Sequence, residues 1–272
     1  MIVRKSTRAV LTVIAVLVGV WLVAPTLVSI PLSFTDRVSL AFPVTDWSFR
    51  WYENFFDDPS WMRPLWASAR IALVVALVAG VVGTAAAWGL QSLTGSRTRA
   101  WLSGLFIAPV VVPHVILAVG IYSLFLNTGI SGTFLGFGLA HSVVAVPFVV
   151  ITVSASLQSF DRELLKAAAS LGATPLKAFA RVVLPLIAPG VASGMLFAFV
   201  TSFDEVIISM FIQSPQLRTL PVKIFSSIRM DTDPTIAAVA TLTLATTTVL
   251  FVLYTLALWK RTGKDKHAQS IK

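Results

Sequence analysis

Asp204 and Glu205 stand side by side in a stretch, 187–213, that holds no other charge. An ionised carboxylate inside a bilayer is costly and usually faces a cavity or a partner. The chemistry open to such a pair is electrostatic: capture of a cation, or an ion pair within the protein. If the stretch is helical, successive side chains point about 100° apart, so the two carboxylates cannot share one direction. One is expected on a polar path, with the flanking Ser202 and Phe203, and the other is expected to pair internally. Arg70 is the predicted partner. It lies at a similar depth in its own apolar stretch, on the order of 10 Å from the end at 1.5 Å per residue.

The remaining chemistry-bearing residues are few. His114 follows Pro113 and His141 opens a later apolar run; each is expected to be a packed, hydrogen-bonded group. Gly129-Ile-Ser-Gly132, with His141 nearby, superficially resembles the nucleophile motif of rhomboid intramembrane proteases. Its serine falls in a Gly-rich, uncharged loop (127–138), not at a helix start inside a cavity, so an intramembrane enzyme is the weaker alternative. The chain has no cysteine and therefore no disulfide or thiolate metal site. No His-Glu-x-x-His metal motif and no Gly-x-x-x-x-Gly-Lys-Ser/Thr phosphate loop occurs. No metal and no cofactor is expected.

These groups must be held by membrane spans. Of 272 residues, 56% are apolar and 12% charged, and mean hydropathy is +0.85; that charged share is about half the soluble norm. A transmembrane helix needs about 20 mostly apolar residues. Six runs qualify: 9–33, 65–90, 101–126, 139–158, 187–213 and 236–259. The first is too long for a signal-peptide core and lacks a clear small-x-small cleavage site, so it reads as an uncleaved span. Pro109, Pro113 and Pro147 are expected to kink their helices, and Gly80 and Gly83 to allow close helix packing. The chain reads as one all-α integral membrane domain, 1–272, embedded in the lipid bilayer.

The net charge of +9 sits in the gaps between apolar runs, which excludes a nucleic-acid partner in favour of topology. With the N-terminus inside, the inner connections hold Arg4, Lys5, Arg8, Arg97, Arg99, Arg162, Lys166, Lys177, Arg181 and the five basic residues after 259. The outer ones hold Arg37, Arg50, Arg63, Arg218, Lys223 and Arg229. Fourteen against six predicts both termini in the cytoplasm and segment 159–186 there too. The outer loop 34–64 carries Trp47, Trp51, Tyr52 and Trp61, expected as an interfacial belt or a short helix on the membrane, with ligand docking as the alternative.

Segment 159–186 is long for an inner loop, basic and helix-forming. Ser159 or Asp161 can cap a helix whose apolar face is Leu164, Leu165, Ala168 and Leu171. Gly172 fits the left-handed position that ends it. Thr174-Pro175 reads as an N-cap with proline at the first helical position, and Leu184-Pro185 is expected to stop the second helix. The result is a helix–turn–helix at the inner surface, for which partner docking and simple membrane contact are the two readings.

Here the sequence resembles a known family. Lys166-Ala167-Ala168, Leu171-Gly172-Ala173 and Leu184-Pro185, followed by Pro189-Gly190, are similar to the EAA loop of permease subunits of binding-protein-dependent ABC importers. Thr201 to Ser209, Thr219-Leu-Pro221 and 227–234 resemble the PotC-like permeases of the spermidine/putrescine group. The likeness implies the type I permease fold, six spans with the coupling element between spans 4 and 5. It also implies transport in place of catalysis, in the inner membrane of a bacterium. The implied partners are cytoplasmic ATP-binding subunits, two in number, a second related permease subunit, and an extracytoplasmic solute-binding protein. The implied substrate is a small cationic organic solute such as a polyamine, whose ammonium groups would meet Asp204 or Glu205. Self-sufficient secondary transport is the alternative; such folds usually show repeated halves, and none is seen. One position departs from the pattern: the first motif residue is usually Glu and here is Lys166, while Glu163, one turn earlier, cannot make the same contact. The docking charge pairing is therefore expected to be rewired.

Overall fold

Uninterrupted apolar runs give long helices in this chain, and the interruptions fall where proline or polar residues intervene. The computed structural model describes residues 5–38, 41–230 and 233–269; Arg4, Lys272 and part of the 227–234 motif lie outside the described residues. Along the chain run α1 (Lys5–Leu32), α2 (Arg50–Asp57), α3 (Pro59–Ser92), α4 (Ser96–Val111), α5 (His114–Thr128) and α6 (Phe134–Gln158). Then follow α7 (Glu163–Ser170), α8 (Pro175–Ala178), a π-helical turn (Phe179–Val183), α9 (Leu184–Phe203), α10 (Ile207–Ile212), α11 (Leu220–Met230) and α12 (Thr235–Gln269).

Among the described residues, four helical stretches are long and apolar enough to cross a membrane: Pro59–Ser92, Phe134–Gln158, Pro175–Phe203 and Thr235–Leu256. Two more qualify as bent pairs, Val10–Ala24 with Thr26–Leu32 at 42° and α4 with α5 at 98°. Counting each bent pair as one span gives the six expected.

Two expectations about continuity are corrected, and the kink expected at Pro113 is found as a full break. The third span is two helices, α4 and α5, bent by 98°. Val112 is extended (ψ 131°) and Pro113 caps the next helix, because proline lacks an N–H and pushes its predecessor out of the helical region. Pro109 and Pro147, by contrast, sit inside continuous helices. The fifth span breaks at Asp204–Val206, between α9 and α10. Finally, Leu184-Pro185 does not stop the second helix of the inner segment: helix runs unbroken from Pro175 to Phe203. The π turn explains this, since the Leu184 N–H reaches back to the Phe179 carbonyl. That wider turn re-aims the carbonyls with which the Pro185 ring would otherwise collide.

The chain forms two units, residues 1–62 with 226–251, and residues 63–225 with 252–272. In the first, Ser33 and Tyr52 share a 2.6 Å hydrogen bond between their hydroxyls. Asn54 donates to the buried Thr235 hydroxyl at 2.9 Å, tying α2 to the start of α12. Trp51, Phe55 and Trp61 are buried, which corrects the expected aromatic belt: two of its tryptophans are core residues, whereas Trp47 is exposed.

In the second unit α6 is the central element. Its buried face includes Val144, Val149 and Val153, packed with Ile71, Val75 and Ile187. In a lipid environment such packing depends on close approach more than on expelling water, and glycines supply it. A Cβ on Gly83 of α3 would lie 2.6 Å from the Val149 Cβ, and one on Gly194 of α9 would collide with Thr152 and Val149. Both neighbours therefore seat directly on α6.

Candidate functional site

Two sites lie in the second unit, at opposite ends of the continuous 175–203 helix. The first is the turn around Gly172. Asp161 Oδ1 accepts from the Glu163 N–H at 2.9 Å and starts α7. Gly172 takes φ +78°, the left-handed conformation that costs glycine nothing. Thr174 Oγ1 accepts from the Lys177 N–H, with Pro175 in the first turn of α8. Of the expected apolar face, Ala168 is buried and Leu165 half-buried, while Leu164 is exposed. Leu171 and Leu176 flank the turn and are 88% and 77% exposed, which is unusual for leucines that have no reason to face water. Ala167 and Ala169 are also exposed, and Ala173 is half-buried. Leu184 and Pro185 lie exposed on the helix that follows.

Lys166, at the departing position, donates to Glu163 Oε1 at 2.7 Å. Both side chains are exposed, so the link contributes little to stability; its effect is to keep the two charges together on the outer face of α7. Sequence reasoning missed how the turn is moored. Arg162 donates to the Gln91 carbonyl at 2.8 Å, and the Trp88 and Phe179 rings lie 5.2 Å apart. Through these contacts α7 and the π turn are joined to the end of α3.

The second site is the break at the far end. α9 finishes at Phe203, whose ring stacks on Phe199 at 5.9 Å. Asp204 is exposed and Glu205 is 5% exposed. Glu205 is held twice: Oε1 accepts from the Ile208 N–H at 2.9 Å, capping α10, and Oε2 lies 3.0 Å from His114 Nδ1. This corrects the predicted ion pair. His114, at the corner between α4 and α5, takes the place expected of Arg70, whose side chain is exposed.

Ser202, expected on the path, is instead buried. His141 Nδ1 lies 2.9 Å from Ser202 Oγ and its Nε2 3.0 Å from Ser209 Oγ. The ring is fully buried and bridges the last turn of α9 to α10; hydroxyls satisfy it in either tautomer. With both nitrogens used in this way, His141 is not a base for the serine of the 129–132 loop, which removes the basis of the protease-like reading. The signal available in the sequence was the pair of serines, Ser202 three residues before Glu205 and Ser209 four after it; nothing in it pointed to His141 as their partner.

Comparison with known proteins places this geometry. Residues 79–263 match the family described as binding-protein-dependent transport system inner membrane component. The putrescine transport system permease protein PotI of Escherichia coli (strain K12) is 35% identical over 238 residues, 85% of this chain and 84% of that protein. The spermidine/putrescine transport system permease protein PotC of Haemophilus influenzae is 32% identical over 248 residues, 91% of this chain and 94% of that one. A crystal structure of a bacterial ABC transporter involved in the import of the acidic polysaccharide alginate superposes with a TM-score of 0.64, covering 96% of this chain and 99% of that one. At 14% identity that likeness speaks for the fold alone. The all-α membrane fold, the family match and the two relatives agree that this chain belongs to the inner-membrane permease components of binding-protein-dependent ABC importers.

Proposed function

We propose that this permease forms the path for a small cationic organic solute of the polyamine class, and that Asp204 is the carboxylate that meets it. The observation that carries the reading is the unequal use of two adjacent acids. Glu205 is buried and engaged by His114 and the Ile208 N–H, while Asp204 is exposed beside the break of an apolar span. An exposed carboxylate there lowers the energy of an ammonium group entering a low-dielectric path. The names of the two curated relatives support a putrescine or spermidine substrate.

ATP hydrolysis belongs to separate subunits, and we infer that a pair of cytoplasmic ATPases docks at the Gly172 turn. Both termini would then lie in the cytoplasm, with the chain forming a single membrane domain. The contact residues would be Leu171 and Leu176 with Lys166, Ala167 and Ala173, the buried Ala168 would seat α7 behind them, and Glu163, Gly172, Leu184 and Pro185 would frame them. A solute-binding protein on the opposite face and a second, related permease subunit complete the assembly. The stroke follows from the helix. Twenty-nine residues run unbroken from Pro175 to Phe203, about 43 Å at 1.5 Å per residue. A displacement at the turn would therefore reach Asp204 along one continuous helical stretch, and the Arg162–Gln91 and Trp88–Phe179 contacts would carry α3 with it. Closure of the ATPases around ATP would rock these helices between inward- and outward-open states.

The test is uptake of radiolabelled putrescine by proteoliposomes holding the whole complex. Asp204→Asn is expected to reduce uptake by about two orders of magnitude at unchanged assembly, the scale of a lost charge contact of about 3 kcal/mol. Unchanged uptake would overturn the reading.

A further inference from the structure

Two interruptions of regular helix, the α4–α5 corner and the α9–α10 break, meet at one contact: His114 Nδ1 against Glu205 Oε2 at 3.0 Å. They remain in register beyond it. Tyr122 of α5 and Phe211 of α10 lie 6.3 Å apart, and Ser214 donates to the Gly132 carbonyl at 3.0 Å where the two helices give way to loops. The corner and the break are thus fixed to one another along their length, with the histidine at the end nearest the carboxylates.

We propose that His114 is a positioning residue for transport, which decides which of the two adjacent acids faces the cation. This rests on the reading of Asp204 as the substrate-facing carboxylate. A buried carboxylate with one oxygen uncompensated is strongly disfavoured. The Ile208 N–H satisfies Oε1 and leaves Oε2 dependent on His114. While the ring donates to Oε2, Glu205 stays buried, α10 stays capped, and the chain turns at residue 204 so that Asp204 is presented. Remove the donor, and Glu205 gains by turning toward the polar path, where it competes with Asp204 for the same cation. His114 itself is about a third exposed, so it borders the space into which the acid would turn.

The experiment is putrescine uptake by the reconstituted complex, with Asp204→Asn, His114→Ala and the double variant compared with the unmodified chain. His114→Ala alone is expected to raise KM about tenfold with a smaller change in the maximal rate, as expected when a buried carboxylate loses one of its hydrogen-bond donors. Asp204→Asn alone should be close to background. The double variant should recover uptake at least about fivefold over Asp204→Asn, because Glu205 is released to serve in its place, a coupling of ordinary size between neighbouring residues. A double variant no better than Asp204→Asn overturns the positioning role while leaving the Asp204 reading intact. Full uptake by Asp204→Asn overturns the Asp204 reading itself. His114→Phe, which keeps the ring volume without the donor, should behave as His114→Ala. Failure of both His114→Ala and His114→Phe to assemble would assign the ring a purely structural role and overturn the proposal.

Discussion

The Gly172 turn and the Asp204 break terminate the same helical rod, and they are built in opposite ways. At the turn, the caps are local: Asp161 caps two residues on and Thr174 three residues on, while Arg162 and Phe179 moor it to α3. Its leucines face outward. At the break the contacts join residues far apart in sequence, by 61 and 68 positions for the two His141 bonds, and most of the polar groups face inward. One end is finished by its own sequence and leaves apolar surface to be covered by something else. The other end is finished by distant helices and leaves the Asp204 carboxylate in the open. A helix whose ends differ in this way suits the proposed transmission, in which a partner would grip the turn and the consequence would be felt at the break.

The strongest way to break this comparison is to spoil the turn without touching the fold. Replacing Leu171 and Leu176 together by Asp should leave expression and thermal stability of the permease in detergent unchanged, since both side chains are exposed. Co-purification of the ATPase subunits should fall by more than about tenfold, the loss expected when apolar anchors leave an interface, and uptake should vanish. Normal co-purification would show that the turn is not where the partner grips.

The break should respond in the converse manner. His141→Ala removes a fully buried ring and strands two buried hydroxyls, those of Ser202 and Ser209. Cavity and unsatisfied groups together cost about 3 kcal/mol. The expected outcome is a lowered melting temperature in detergent with ATPase co-purification retained by the protein that remains folded. A variant as stable as the parent would mean that the α9–α10 junction is held by something other than this bridge.

The same contrast explains what could be read from the residues alone. The turn was legible because caps, the Gly172 conformation and proline placement are rules of adjacent residues. The long apolar runs behind α3, α6 and α12 were legible for the same reason. The sites of interruption were not. Pro109, Pro113 and Pro147 look alike in sequence, yet the helix parts only beside Pro113. Leu184-Pro185 looked like a stop and was bypassed by a π turn. Asp204 and Glu205 were legible as a costly pair, but their partner was chosen by depth along two spans, which favoured Arg70. Depth does not encode which helix faces which, and the 98° corner at Val112-Pro113 brings His114 to Glu205 by a route that no straight-helix estimate contains.

A smaller effect sharpens the charge pattern of the turn. Lys166→Glu places a carboxylate beside Glu163 on an exposed helix face, where like charges three residues apart cost about 0.5 kcal/mol at most. The permease itself should be indifferent. If the ATPase groove presents an acidic group to Lys166, association should weaken several-fold at low salt and recover as salt screens the repulsion. Stronger association with Glu at this position would instead mean that the groove is basic and that Lys166 is tolerated and not matched.

The smallest expected effect isolates backbone geometry from every contact. Gly172 has φ +78°, and a Cβ built there meets nothing within 4 Å. Gly172→Ala therefore introduces no clash with a neighbour; its cost is the left-handed conformation alone, about 1 kcal/mol. If docking requires the turn as it stands, that amount weakens ATPase association about fivefold. Gly172→Asn should lie between Ala and the parent, since Asn tolerates the left-handed region better than other side chains. Asn is the larger side chain, so a loss graded Gly then Asn then Ala runs against size and assigns the effect to φ. Equal losses from both would assign it to the side chain meeting the partner, and the turn would then be a close contact surface and not only a bend.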